Sequence, residues 1–336
     1  MTRRKNLITD VAGLRVGHAH DPALASGVTC VLFDEAAVAA VDARGGGPGT
    51  RETDLLDAGR TVERIDALFL SGGSAFGLDA GSGVQASLRG RGRGFDVGGM
   101  RVPIVPGAIL FDLLNGGDKA WGRYPVYREL GFAAAEAAAE AEDGAFALGT
   151  VGAGFGATTV NYKGGLGSAS AVTEDGLTVA ALAATNACGS AVIGDGPWFW
   201  AAAFEEDGEL GGHGLPAQVP PSARAPRSKG VLQASTTLVI VATDAVLTRN
   251  EVQRLAVMAQ DGFARALHPV HTPLDGDIAF AAATGKKPLP DPVFALMRLG
   301  TAAAQVVARA IARGVHEATA LPFPGALPAW TDRFGG

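Results

Sequence analysis

The sequence predicts a layered α/β protein, and three observations carry that reading. Short apolar runs alternate with glycine-rich turns, two segments show capped or one-faced helical patterning, and two further helical segments are apolar almost all round. A helix without a polar face needs cover on more than one side, so those two are expected to be sandwiched between layers or buried in a subunit interface. Hydrophobic residues make up 47% of the 336 positions and mean hydropathy is +0.19. The 48 glycines, about twice the usual share, therefore serve turns and close backbone approaches and not a disordered polymer.

Taken along the chain, strands are predicted at 29–33, 66–70, 146–151, 177–183 and 237–243, each dense in apolar residues and bounded by turn formers. The helix at 74–88 carries Ala, Gly, Val and Leu with few charges. The helix at 128–142 is alanine-rich with Glu136 and Glu140 on one face, and the one at 250–267 follows a capping box of Thr248 and Glu251. A long, mostly apolar helix is expected at 292–313. Residues 205–230, EEDGELGGHGLPAQVPPSARAPRSKG, have no periodicity and read as a linker. It runs straight into a buried-looking strand, which is odd for a domain boundary and natural for a place where a chain is cut.

Charge and cysteine content exclude several classes. Lysine plus arginine is 28 against 34 acidic residues, a net charge of −6, which leaves no electrostatic footprint for nucleic acid or an anionic membrane. Cys30 and Cys188 lie far apart with no CxxC spacing and read as small buried hydrophobes. The first ten residues lack an apolar signal-like stretch and no window approaches eighteen uninterrupted apolar residues, so a soluble, cytoplasmic protein is expected.

The chemistry is expected at Ser235-Thr236-Thr237. A hydroxyl residue whose own α-amine is released carries nucleophile and base in one residue, because an amine with a pKa near 8 takes the hydroxyl proton. Taken alone, Thr-Thr is also ordinary strand composition. Asp275 and Asp277, in Leu-Asp-Gly-Asp, are a carboxylate pair with no third cluster to make a metal site. Asn186 after an apolar run reads as a turn residue. His268 and His271 read as groups that satisfy carbonyls at a helix end. No GxSxG elbow is present, although Ser71-Gly72-Gly73-Ser74 superficially resembles one.

The chain resembles the DmpA-type self-processing aminopeptidases, which include β-peptidyl aminopeptidases, L-aminopeptidase/D-esterases and the nylon-oligomer hydrolase. The resemblance rests on ITD (8–10) with VGH (16–18), VDARGG (41–46), SGGSAFGLDAGSGV (71–84) and VPIVPGAILFDL (102–113). It continues through VGAGFGATT (151–159), KGGLGSAS (163–170), STTLVIVATDA (235–245) and HPVHTPLDGD (268–277). It implies a four-layer αββα N-terminal-nucleophile fold, shared with ornithine acetyltransferase, over one domain spanning 1–336. The chain would cut itself between Ser235 and Thr236 into an α chain 1–235 and a β chain 236–336. No cofactor and no metal are implied.

By the same resemblance Thr236 is the nucleophile, with Thr237 the runner-up, and Asp275 and Asp277 orient Thr236 and hold its amine. Asn186 supplies an oxyanion-hole amide, and the Gly72-Gly73-Ser74 loop adds backbone N–H groups. Tyr124 matches a family tyrosine near the scissile carbonyl, with Tyr127 competing. A family lysine falls strictly on Asn161, while Lys163 lies two residues on. The residue before the nucleophile, often Asn or Gly in the family, is Ser235 here, so cutting is expected to be slower or equal. The implied activity is hydrolysis of amides of N-terminal amino acids or of 6-aminohexanoate oligomers, in a homotetramer. An acyltransferase and an uncleaved scaffold are the alternatives.

Overall fold

The computed structural model describes residues 4–229 and 235–335. Its strands are β1 (Leu14–Asp21), β2 (Ser26–Ala43), β3 (Thr50–Arg51), β4 (Arg64–Ser71), β5 (Phe95–Val97), β6 (Met100–Val102), β7 (Gly107–Ile109), β8 (Gly165–Val172), β9 (Thr178–Asn186), β10 (Thr236–Ala245) and β11 (Ile278–Lys287). Its helices are α1 (Ala80–Gly90), α2 (Tyr127–Glu140), the single turn α3 (Pro221–Arg224), α4 (Arg249–Ala266), α5 (Phe294–His316) and the short α6 (Thr331–Phe334). Strands β5 and β6 form a separate hairpin, and the others join in the order β3-β7-β4-β2-β11-β10-β9-β8 with β1 on β2.

The long strand β2 makes this one path into two layers. Its first part pairs with β4 from Val28 to Val38, its last part pairs with β11 from Val38 to Ala43, and the register shifts between Leu32 and Ala37. Side chains alternate across a strand, so the faces of β2 report what lies on each side. Val28, Cys30 and Leu32 pack with α1 and α2. Val31, Phe33, Ala37 and Ala39 join Leu68 and Leu70 of β4 and Leu182, Leu238, Ile240 and Phe280 of β9, β10 and β11 in a core between the two sheets. On the far side Val179, Val239, Val241 and Ala281 pack with α4 and α5. The layers are thus helix, sheet, sheet, helix.

This sandwich explains the apolar run TTLVIVATDA: β10 is buried along its whole length, antiparallel to β9 and parallel to β11, and both of its faces are covered. The Thr248 side chain accepts from Glu251 N–H and the Glu251 side chain caps in return at the start of α4, as the sequence predicts. Helix α5 is long and apolar enough to cross a membrane by composition alone; here Leu299, Val306, Val307 and Ile311 are buried in the sheet–helix core.

Several expectations need correction. Residues 146–151 form no strand, only an isolated bridge between Gly149 and Leu166. The helix expected to open at residue 74 starts as a 3-10 turn, Ser74–Asp79, before α1. Strands β1, β8 and β11 had no sequence signal. The expected linker holds α3 and reaches a half-buried Lys229; its last residue, Gly230, lies outside the described residues.

Candidate active site

Strand direction assembles the site. Thr236 opens β10 and pairs with Asn186, the last residue of antiparallel β9. Parallel β11 starts beside it, with Leu238 opposite Ile278, so Asp277 arrives at the same edge. Ala43, at the end of β2, lies opposite Ile278 and brings the Arg44-Gly45-Gly46-Gly47 turn to that edge as well. The glycine turn is a bracket: Arg44 and Gly45 N–H donate to Asp277 O at 3.0 and 3.2 Å, and Gly47 N–H donates to Asp275 O at 2.8 Å. A Cβ on Gly45 would sit 2.2 Å from Asp277 N, so no side chain fits there.

The bracketed Asp275-Gly276-Asp277 segment holds the bond between Ser235 and Thr236. Ser235 N–H donates to Leu274 O at 3.0 Å, and Gly276 N–H donates to Ser235 O at 2.7 Å. The Thr236 hydroxyl donates to the same carbonyl oxygen at 2.6 Å. Thr237 N–H donates to Asp277 Oδ1 at 2.8 Å, so the backbone is fixed on both sides of the bond. Gly276 lies so close that a Cβ there would be 2.6 Å from Thr236 Oγ1. Thr237 Oγ1 is buried with no partner among the described residues.

The two carboxylates have different partners. Asp275 accepts from Cys188 N–H at 3.1 Å, from Thr272 N–H at 3.0 Å and from Thr272 Oγ1 at 2.7 Å. Burial, then the neighbouring Asp277 charge, pushes its carboxyl above the usual range. Asp277 accepts through Oδ2 from His271 N–H at 3.1 Å and faces His271 Nδ1 at 3.0 Å. His271, read from sequence as a helix-end residue, is therefore the partner of a site carboxylate.

Asn186 is held from two directions. Its Oδ1 accepts from Thr158 N–H at 2.9 Å and from Lys229 Nζ at 3.2 Å, while Nδ2 donates to Phe111 O at 2.9 Å. A cavity of about 490 Å³ adjoins this cluster, lined by Asn115, Thr158, Thr159, Lys229, Phe323 and Leu327.

The other expected residues make different contacts. Lys163 Nζ is buried and donates to the carbonyls of Gly154, Ala157 and Gly164 at 3.1, 2.9 and 2.7 Å; burial pulls it down to about 7. Asn161 bonds Thr159 and Ser190. Tyr124 is 77% exposed, whereas Tyr127 is buried with its hydroxyl donating to Ser26 Oγ at 3.1 Å. The N–H groups of Gly72, Gly73 and Ser74 donate to Gly27 O, Asp112 Oδ1 and Leu110 O at 2.9, 2.7 and 2.9 Å. That loop's amides are thus engaged by the fold, and the backbone donor on the Ser235 carbonyl is Gly276, which sequence reasoning missed. Lys229 was also missed, because it lies in a stretch with no pattern. Asp112 had a usable signal, an acid inside the apolar run AILFDLL.

Comparison with known proteins identifies the family and the fold. The profile of peptidase family S58 matches residues 6–326. An uncharacterized aminopeptidase of Mycobacterium bovis is 42% identical, covering 98% of this chain and 98% of that protein. A 6-aminohexanoate-oligomer endohydrolase of a Kocuria species is 29% identical, covering 86% of this chain and 78% of its own length. The solved L-aminopeptidase D-Ala-esterase/amidase of Ochrobactrum anthropi, described as a variant of the Ntn hydrolase fold, superposes with a TM-score of 0.67 at 18% identity, covering 100% of this chain and 96% of that one.

Proposed function

Because the chain belongs to peptidase family S58 and is a hydrolase of peptide or amide bonds, we propose that it is made as a precursor that cuts itself between Ser235 and Thr236 and then works as an N-terminal threonine amidohydrolase. The observation that carries this reading is the convergence of the Thr236 hydroxyl and the Gly276 N–H on the Ser235 carbonyl. In the first step Thr236 Oγ1 adds to the Ser235 carbonyl carbon and Gly276 N–H meets the negative oxygen. The C–N bond then breaks, the Thr236 nitrogen takes a proton, and an ester joins Ser235 to Thr236 Oγ1. Water hydrolyses that ester, leaving a carboxylate on Ser235 and an amine on Thr236.

In turnover the released amine accepts the proton of its own hydroxyl, and the hydroxyl attacks the substrate amide. Asn186 Nδ2 is the side-chain donor for the oxyanion and Gly276 N–H the backbone donor. Preorganised donors of this kind contribute a few kcal/mol to a transition state. Asp277 holds Thr237 N–H and so fixes the strand that carries the nucleophile. The substrate reading follows the nearer relatives: a short peptide or aminoacyl amide with an unblocked amine, cleaved in a homotetramer, with 6-aminohexanoate oligomers as the second class to test.

Intact mass and N-terminal sequencing of the purified protein test the first half. The expected result is a fragment beginning Thr-Thr-Leu-Val. A single chain of 34.0 kDa that persists through long incubation would overturn the self-processing reading. A panel of L-alanyl, D-alanyl and β-alanyl p-nitroanilides with 6-aminohexanoate oligomers then ranks the substrates.

A further inference from the structure

Lys229 is a half-buried lysine in a stretch whose sequence predicts only a linker. Its ammonium donates to Thr158 O at 2.7 Å, to Asn186 Oδ1 at 3.2 Å and to Asn186 O at 3.4 Å. These contacts settle which way the Asn186 amide faces. Two donors, Lys229 Nζ and Thr158 N–H, meet the side-chain oxygen, and one acceptor, Phe111 O, meets the side-chain nitrogen. The flipped amide would set its NH₂ against both donors and its oxygen against a carbonyl. Phe111 O takes one of the two Nδ2 hydrogens, and the other is unclaimed among the described residues.

We propose that Lys229 is a positioning residue of the hydrolytic site: by pinning Asn186 Oδ1 it keeps the second Nδ2 hydrogen presented to the substrate oxyanion. The proposal rests on Thr236 as nucleophile and Asn186 as oxyanion donor. It goes beyond that reading by assigning a role to the segment upstream of the cut. Lys229 lies six residues before Ser235, so after cleavage it belongs to the α chain, and the site works only while that tail remains seated against Thr158 and Asn186. Burial brings Lys229 down to about 7, opposed by Cys188 and Asp275, so the group that pins Asn186 is one whose charge is sensitive near neutral pH.

The test compares wild type with Lys229→Ala, Lys229→Met and Thr236→Ala, following intact mass and then kcat and KM on an aminoacyl p-nitroanilide. The expected result is a fall of at least tenfold in kcat for both Lys229 variants with KM within about twofold, and partial recovery of kcat in Lys229→Ala on adding ethylammonium. Full kcat in both variants overturns the proposal. So does a loss that ethylammonium does not restore and that tracks a lower melting temperature, since that is packing alone. A fall in KM for amine-bearing substrates also overturns it, because Lys229 would then be a plug that competes with the substrate. A second measurement does not depend on turnover: in a ¹⁵N-asparagine-labelled sample the Asn186 side-chain NH₂ should exchange at least tenfold faster in Lys229→Ala. An unchanged exchange rate sinks the positioning role. An uncut, inactive wild type with the exchange difference intact would instead indict the reading of Thr236.

Discussion

Two buried carboxylate clusters use the same chemistry for different ends. In one, Asp112 accepts from Ser26 Oγ at 2.6 Å and from Gly73 N–H at 2.7 Å, and Tyr127 stands behind Ser26. Burial raises the Asp112 carboxyl above its usual range, with Lys119 opposing. The Asp112 hydrogen bonds close the glycine loop onto the first sheet. In the other cluster Asp275 and Asp277 hold backbone on either side of a single peptide bond, and a hydroxyl and an N–H converge on its carbonyl. A buried acid is therefore no indication of a site in itself. The distinguishing feature is a reactive group held against a bond it can attack.

Breaking that contrast should give a graded series. Thr236→Ala is the largest effect: cutting and amide hydrolysis both disappear, seen as one band of full mass and no product, while the far-UV spectrum is unchanged. Asn186→Ala comes next, with kcat lower by about 10²–10³, as expected for loss of an oxyanion donor. Gly276→Ala puts a methyl group against Thr236 Oγ1. It should slow self-cutting by about 10²-fold, the scale for a misplacement near 1 Å, read from the time course of the Thr-Thr-Leu-Val fragment. Asp112→Asn should cost about 1–3 kcal/mol of stability for an unsatisfied buried group, with kcat within about threefold of wild type. A larger kcat loss in that variant would erase the distinction between the two clusters.

The smallest effect is in pH dependence. Lys163 and Lys229 are both brought down to about 7 by burial, against an ordinary value of 10.5. Between those values the unfolded chain holds protons that the folded chain has released, so stability rises with pH from about 7 to about 10.5. Lys163→Met removes one of the two contributions. Melting curves from pH 6 to 10 should show a shallower rise for that variant, and an identical slope would mean that Lys163 keeps its charge in the fold.

How much of this was readable before folding differs from element to element. Helix α4 announced itself through Thr248 and Glu251, and β4, β9 and β10 through dense apolar runs. Strands β8 and β11, GLGSASAV and IAFAAATGKK, were invisible because their small residues have little strand preference of their own. Their places come from close packing against α5 and neighbouring strands. Within the site, Thr236, Asn186, Asp275 and Asp277 were identified by motif, and the register of β9, β10 and β11 brings them to one edge. Tyr124 and Lys163 were named by the same motifs, yet neither bonds Thr236 or Asn186 among the described contacts.

The sequence by itself determined the layered class, the capped helix, the segment carrying the proposed nucleophile and the family. Those depend on local periodicity or on short runs whose residues act together. Only the tertiary structure decided that Gly276 supplies the donor on the Ser235 carbonyl, that His271 backs Asp277 and that Lys229 pins Asn186. Two of these hydrogen bonds join residues about forty positions apart in the chain, and the third crosses the turn between His271 and Asp277; all three form where four strand ends meet. No local pattern encodes which backbone N–H or which ammonium will be facing a given oxygen once those ends converge.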